Sequence, residues 1–121
     1  MSRIVVCEDD PMIRKLVQAA LRSTSHELHF AEDGRQGLAL IERTSPDVIF
    51  TDVAMPEMNG FELADAVRSH PALAHIPIVF MTAFVQREQI DECFRHGAAA
   101  HLPKPFTVTE LRERVGQFVK G

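Results

Sequence analysis

Three short runs, Ile4 to Cys7, Val48 to Phe50 and Ile76 to Met81, carry no alternation of apolar and polar residues. A strand with one wet face alternates, so these read as strands covered on both faces, the condition of a parallel sheet with helices above and below it. Leu28, Phe30 and Ala31 make a weaker strand suited to a sheet edge, and Ala99 to Leu102 a short fifth one. Between the runs the apolar spacing becomes helical. Ile13, Leu16, Val17, Ala20 and Leu21 form one stripe behind Asp10-Pro11, a cap followed by a first-turn proline, and Ser23-Thr24-Ser25 ends it. A second helix follows Asp33-Gly34, turns Leu38 and Ile41 inward and closes at Ser45-Pro46. A third, about 60 to 69, presents Phe61, Ala64 and Val67 and stops before Pro71. A fourth, about 86 to 96, carries Ile90, Cys93 and Phe94 and stops at Gly97. The last, about 107 to 119, is capped by Thr107 and repeats Leu111, Val115 and Phe118. Five strands alternating with five helices through short connections specify an α/β fold built on a parallel sheet.

At 121 residues the chain supports one core, so residues 1–121 read as a single domain. With 45% hydrophobic and 25% charged residues it has the composition of a soluble globular protein. No apolar run approaches bilayer length, and Met1-Ser2-Arg3 leads into a strand without a secretion signal. A cytoplasmic protein with no membrane partner is expected. The net charge of −4 argues against direct nucleic-acid binding. Cys7 and Cys93 have no metal or redox spacing and read as buried free thiols in a reducing compartment.

Chemistry concentrates at the carboxyl ends of the strands, where open α/β sheets bind ligands. Strand one ends in Glu8 and Asp9, strand three in Asp52, strand four in Thr82, and strand five is followed by Lys104. Taken singly these residues are ordinary: a loop aspartate can cap a turn, and a strand-end lysine is usually solvated. If strands one and three are neighbours, as in the flavodoxin-like order 2-1-3-4-5, three carboxylates meet at the topological switch point. Such a group repels itself and calls for a compensating cation. Mg2+ suits it, as a hard ion that takes carboxylate oxygens and keeps water and phosphate oxygens in its shell. A carboxylate can also be a nucleophile that forms an aspartyl phosphate. Phosphoryl transfer then needs positioning and charge neutralisation, for which a metal, an ammonium and a hydroxyl are suitable parts.

The segments IVVCEDDP (4–11), TDVAMPEMNG (51–60), FMTA (80–83) and HLPKPF (101–106) together make the chain resemble the receiver domains of two-component response regulators, the CheY-like family, over its whole length. The resemblance implies a single CheY-like domain with five helices on both faces of the sheet. It implies that Asp52 is the phospho-acceptor, and that Glu8, Asp9, Asp52 and the backbone carbonyl of Ala54 hold Mg2+. Thr82 matches the switch hydroxyl, Lys104 the lysine that pairs with the phosphoryl group, and Pro105 the proline of a cis peptide bond. Two positions depart from the commonest pattern: Glu8 replaces an aspartate, and His101 stands where the switch residue is most often tyrosine or phenylalanine. The implied partners are a histidine kinase or histidine phosphotransfer protein. Helix four, strand five and helix five would serve self-association or an output partner. Such a domain assists its own phosphorylation and dephosphorylation but turns over no external substrate.

Other readings of the same residues stay open. A Mg2+-dependent aspartyl-phosphate phosphatase of the haloacid-dehalogenase type uses a similar strand-end aspartate, but it wants an acid two positions on, where this chain has Ala54. A flavodoxin would place a phosphate-cradling loop after strand one, where this chain has acids. A receiver-like docking module without phosphorylation needs none of the site residues. Asp10 reads as a helix cap rather than a ligand. His26, His29, His70, His75 and His96 lack paired ligand spacing and read as surface residues. Glu110, Arg112, Glu113 and Arg114 read as a solvated helix face. The kinase, the output pathway, and the choice between a stand-alone regulator and part of a longer protein are left open.

Overall fold

In the computed structural model, which describes residues 2–22 and 24–119, strands and helices alternate along the whole chain. They run β1 Arg3–Cys7, α1 Pro11–Ala20, β2 Glu27–Ala31, α2 Gly34–Thr44, β3 Val48–Asp52, α3 Gly60–Ser69, β4 Ile78–Thr82, α4 Arg87–Arg95, β5 Ala100–Pro103 and α5 Val108–Phe118. All pairings are parallel, in the order β2-β1-β3-β4-β5. The weak second run is indeed an edge strand, and β5 forms the other edge.

The unbroken apolar runs follow from period-two geometry with both faces covered. Val5, Cys7, Ile49, Ile78 and Phe80 point to the face packed by α2, α3 and α4, against Ile41, Leu63, Val67 and Cys93. Ile4, Val6, Val48, Phe50, Val79 and Met81 point to the other, against Val17 of α1 and Leu111 and Val115 of α5. Phe50 and Phe80 are essentially withdrawn from water, which stabilises the fold by about 2–3 kcal/mol for each ring. Asp10, Asp33, Asn59 and Thr107 cap their helices, each accepting a backbone N–H of the first turn. Gly97 ends α4 region with φ +89°, a conformation that disfavours a side chain.

Some local expectations differ from the fold. β4 starts at Ile78, not Ile76, because Pro77 has no N–H to give the ladder; its carbonyl still accepts from Ile49 N at 3.0 Å. Phe94 is 47% exposed, since it lies one residue, about 100°, round the helix from buried Cys93. In α2, Leu40 is buried beside Ile41 while Leu38 is only partly covered. Ser23, read as part of the stop after α1, lies outside the described residues. His96 is not a free surface residue: it stacks on Phe61 with ring centroids 4.4 Å apart and bonds Asp65 at 2.8 Å, joining α4 to α3. Nor are Arg112 and Arg114 merely solvated. Arg112 donates to the Ala20 carbonyl at 2.8 Å and Arg114 to that of His101 at 3.3 Å. Both cysteines are buried thiols, and burial pushes Cys7 up to about 12 and Cys93 to about 11.

Candidate functional site

Strand register builds the site. Cys7 lies opposite Thr51, so the next residues, Glu8 and Asp52, emerge side by side at the carboxyl edge of the sheet. Asp9 follows Glu8, and one carboxylate oxygen each from Glu8, Asp9 and Asp52 lie within 4.8 Å of one another. Asp10 stands outside this group, because its carboxylate accepts from Met12 N at 2.9 Å as the cap of α1.

Glu8 is fully buried, an expensive place for a carboxylate unless its oxygens are bonded. One accepts from Asp10 N at 3.1 Å and the other from the Lys104 ammonium. Burial is the larger influence and pushes Glu8 above the usual carboxylate range, with Asp52 adding to the rise against the two hydrogen bonds. Asp52 accepts from Val53 N at 2.7 Å through Oδ1 and from Lys104 Nζ at 2.8 Å through Oδ2. Burial pulls the Lys104 ammonium down, but hydrogen bonds to Asp52 and Glu8 outweigh it, so the group stays charged above its ordinary value. β4 and β5 bring Lys104 across 52 positions to Asp52; its backbone N–H donates to the Thr82 carbonyl at 3.0 Å, and its peptide bond to Pro105 is cis.

A cleft of about 300 Å³ opens beside these groups, lined by Asp52, Ala54, Thr82, Phe84 and Lys104 among others. The buried Thr82 hydroxyl accepts from Phe84 N at 3.2 Å, which leaves its proton free to be donated into the cleft. The arrangement therefore offers a carboxylate nucleophile, a fixed ammonium, a hydroxyl donor and a cluster of hard oxygen donors.

His101 stands apart from the cleft, on β5 opposite Phe80. Its Nε2 is enclosed with no hydrogen-bond partner among the described residues. Burial first, and the nearby Arg114 second, hold its pKa below the ordinary 6.5. The folded chain then binds fewer protons than the unfolded chain between the lowered value and 6.5, so stability rises with pH across that window. Acidification from about pH 7 to about pH 5 should lower the melting temperature of the unsubstituted chain relative to that of His101→Phe, because only the former loses the contribution of the neutral imidazole. Equal pH slopes for the two chains would contradict this.

Three features of the site lie outside what residue patterns disclose. Gly60 N donates to the Val53 carbonyl at 2.8 Å, Gly34 N to that of Met58 at 3.0 Å, and Arg14 to that of Glu8 at 2.8 Å. The glycines were legible as turn residues; nothing local indicated how closely the backbone of the acceptor loop approaches them.

A family model described as the response regulator receiver domain matches residues 4–116. The DNA-binding dual master transcriptional regulator RpaA of Synechocystis sp. is 36% identical over 115 residues, which span 95% of this chain and 48% of RpaA. The chain spans about half the length, or less, of the first curated relatives it matches. Among solved structures, the chemotaxis response regulator CheY4 of Vibrio cholerae superposes with a TM-score of 0.92 at 33% identity, over 98% of this chain and 99% of that one. The receiver domain of sensor histidine kinase PA1611 from Pseudomonas aeruginosa, solved with a magnesium ion coordinated in its active-site cleft, gives 0.88 at 26% identity, over 97% and 96%.

Proposed function

The chain belongs to the response regulator receiver domain family, and from that premise we propose that it is a phospho-accepting switch that takes a phosphoryl group on Asp52 from a histidine kinase or histidine phosphotransfer protein. The observation that carries the reading is the meeting of Glu8, Asp9 and Asp52 with Lys104 at the mouth of a small cleft. Three carboxylates within 4.8 Å are hard oxygen donors at a spacing that one small divalent ion can bridge with little movement, so the residues fit Mg2+. Glu8, Asp9, Asp52 and the Ala54 carbonyl would hold it, and when bound it would neutralise charge on the carboxylates and on the phosphoryl oxygens.

In the transfer, an Asp52 carboxylate oxygen attacks phosphorus as the donor's phosphorus–nitrogen bond breaks, and the bond's electron pair leaves with the imidazole nitrogen. The product is an acyl phosphate on Asp52. Lys104, already 2.8 Å from Asp52, needs only a small shift to pair with a phosphoryl oxygen. Thr82 donates its hydroxyl proton to another, and residues 83–86 follow it inward. That movement, in a loop where Val85 is exposed, biases a surface of α4, β5 and α5 toward self-association or an output partner, with Phe94 of α4 exposed as well. His101 of β5 is the second residue of the switch, moving with Thr82. The chain turns over no external substrate on this reading, and Ala54 and Phe84 respectively open and shield the path of hydrolytic water.

Because an ion bound only by the folded form stabilises it, the melting temperature should climb with Mg2+ concentration, by about 2.7 kcal/mol of stability at a hundred times the dissociation constant. In Asp9→Asn the climb should largely disappear. A flat melting temperature in the unsubstituted chain, with no phosphoryl uptake from an acyl-phosphate donor, would refute the reading. A melting temperature that rises equally in both chains would place the ion elsewhere.

A further inference from the structure

Arg14 lies on α1 and reaches back to the carboxyl end of β1. Its Nη1 donates to the backbone carbonyl of Glu8 at 2.8 Å, and its Nη2 stands 3.4 Å from Glu32 Oε1 just beyond β2. The Arg14 side chain is 21% exposed, the Glu32 side chain 66%. A long ion pair to so exposed a partner contributes little. The short contact to the carbonyl is the substantial one.

That carbonyl belongs to the peptide unit joining Glu8 to Asp9, one residue beyond the last residue of β1. On its other side Glu8 N is held by the Ala31 carbonyl at 2.9 Å. Between them the two bonds fix the backbone at Glu8, and rotating the Glu8–Asp9 unit would redirect Asp9 relative to Glu8. A guanidinium suits the task, being rigid, always charged and able to span two acceptors on neighbouring turns.

We infer that Arg14 is a positioning residue for the acid pair, holding the Glu8–Asp9 peptide so that both carboxylates face Asp52. The inference rests on the phospho-acceptor reading. Its sign separates it from simple electrostatics. If Arg14 acted only as a nearby positive charge, removing it would tighten binding of a divalent cation; if it positions the ligands, removing it weakens binding.

The test is calorimetric titration of the folded chain with Mg2+, well below the melting temperature, together with phosphoryl uptake from a small acyl-phosphate donor. Arg14→Leu should raise the Mg2+ dissociation constant ~10-fold or more, as loss of a group that orients metal ligands typically does. Its maximal uptake rate should fall more than its apparent affinity for the donor. Glu32→Gln, and Lys15→Leu on the same helix, should stay within ~2-fold of the unsubstituted chain. Arg14→Lys, which keeps the charge but not the fork, should fall between and serves if Arg14→Leu does not fold. Mg2+ binding as tight as or tighter than that of the unsubstituted chain in Arg14→Leu, or unchanged in Arg14→Lys, overturns the inference alone. An unsubstituted chain that neither binds Mg2+ nor takes up phosphoryl removes the underlying reading and the inference with it.

Discussion

Asp52→Asn is expected to gain no mass when incubated with a small acyl-phosphate donor and Mg2+, while the unsubstituted chain gains one phosphoryl group. The amide has no anionic oxygen to attack phosphorus, and no other carboxylate in the cluster occupies the same place. Asp9 emerges from a different strand end, and Glu8 is fully buried beneath the lysine. The fold should survive the change. Asparagine Oδ1 can still accept from Val53 N, which Asp52 holds at 2.7 Å. Its Nδ2 would face the Lys104 ammonium and forfeit that bond, but removing one of three adjacent anions relieves their repulsion. Intact-mass spectrometry, with circular dichroism to confirm folding, decides the matter. A phosphoryl adduct of undiminished yield on Asp52→Asn would remove Asp52 from its role.

Gly60→Ala is expected to unfold the chain at a melting temperature lower by roughly 10 °C. Helix propensity alone points the other way, since alanine gains about 1 kcal/mol over glycine inside a helix. Packing decides against it. A Cβ on Gly60 would collide with the Asp52 carbonyl oxygen and stand 2.9 Å from Val53 Cα, both backbone atoms that cannot swing aside. Overpacking costs about 1–3 kcal/mol where side chains can adjust, and here the cost sits at or above the top of that range. The shift also falls on Asp52 itself, so phosphoryl uptake should slow even in the folded fraction. Gly116 provides the contrast, because a Cβ there meets nothing within 4 Å. Gly116→Ala in α5 should stabilise by about 0.5–1 kcal/mol. Scanning calorimetry of the two variants checks both, and a Gly60→Ala chain that melts at or above the unsubstituted one would refute the packing argument.

Much of this molecule is readable residue by residue. The unbroken run Ile4 to Cys7 already implies a strand covered on both faces, and Asp10-Pro11, Asp33-Gly34 and Thr107 mark helix starts where the helices begin. Local rules leave some boundaries ambiguous by one or two positions. Ile76-Pro77 continues the apolar run of β4, but Pro77 has no N–H to donate and the strand begins at Ile78; Phe94 shares a helical stripe whose width the spacing leaves undefined. His96 looked like any surface histidine, because its partners Phe61 and Asp65 lie on another helix.

The sequence by itself determined which residues are apolar at which period, where helices are capped, and which polar groups stand at strand ends. Those are properties of neighbours along the chain, and burial patterns with periods of two and 3.6 encode them directly. Only the tertiary structure decided that β1 lies against β3 with Cys7 opposite Thr51, that Lys104 reaches Glu8 across 96 positions, and that Arg14 grips the peptide between the two acids. Strand order and register are settled by how the crossover helices pack on both faces at once, an energy summed over the whole core. No local stretch contains that sum, which is why the acids can be named from the chain while their meeting in one place has to be seen in three dimensions.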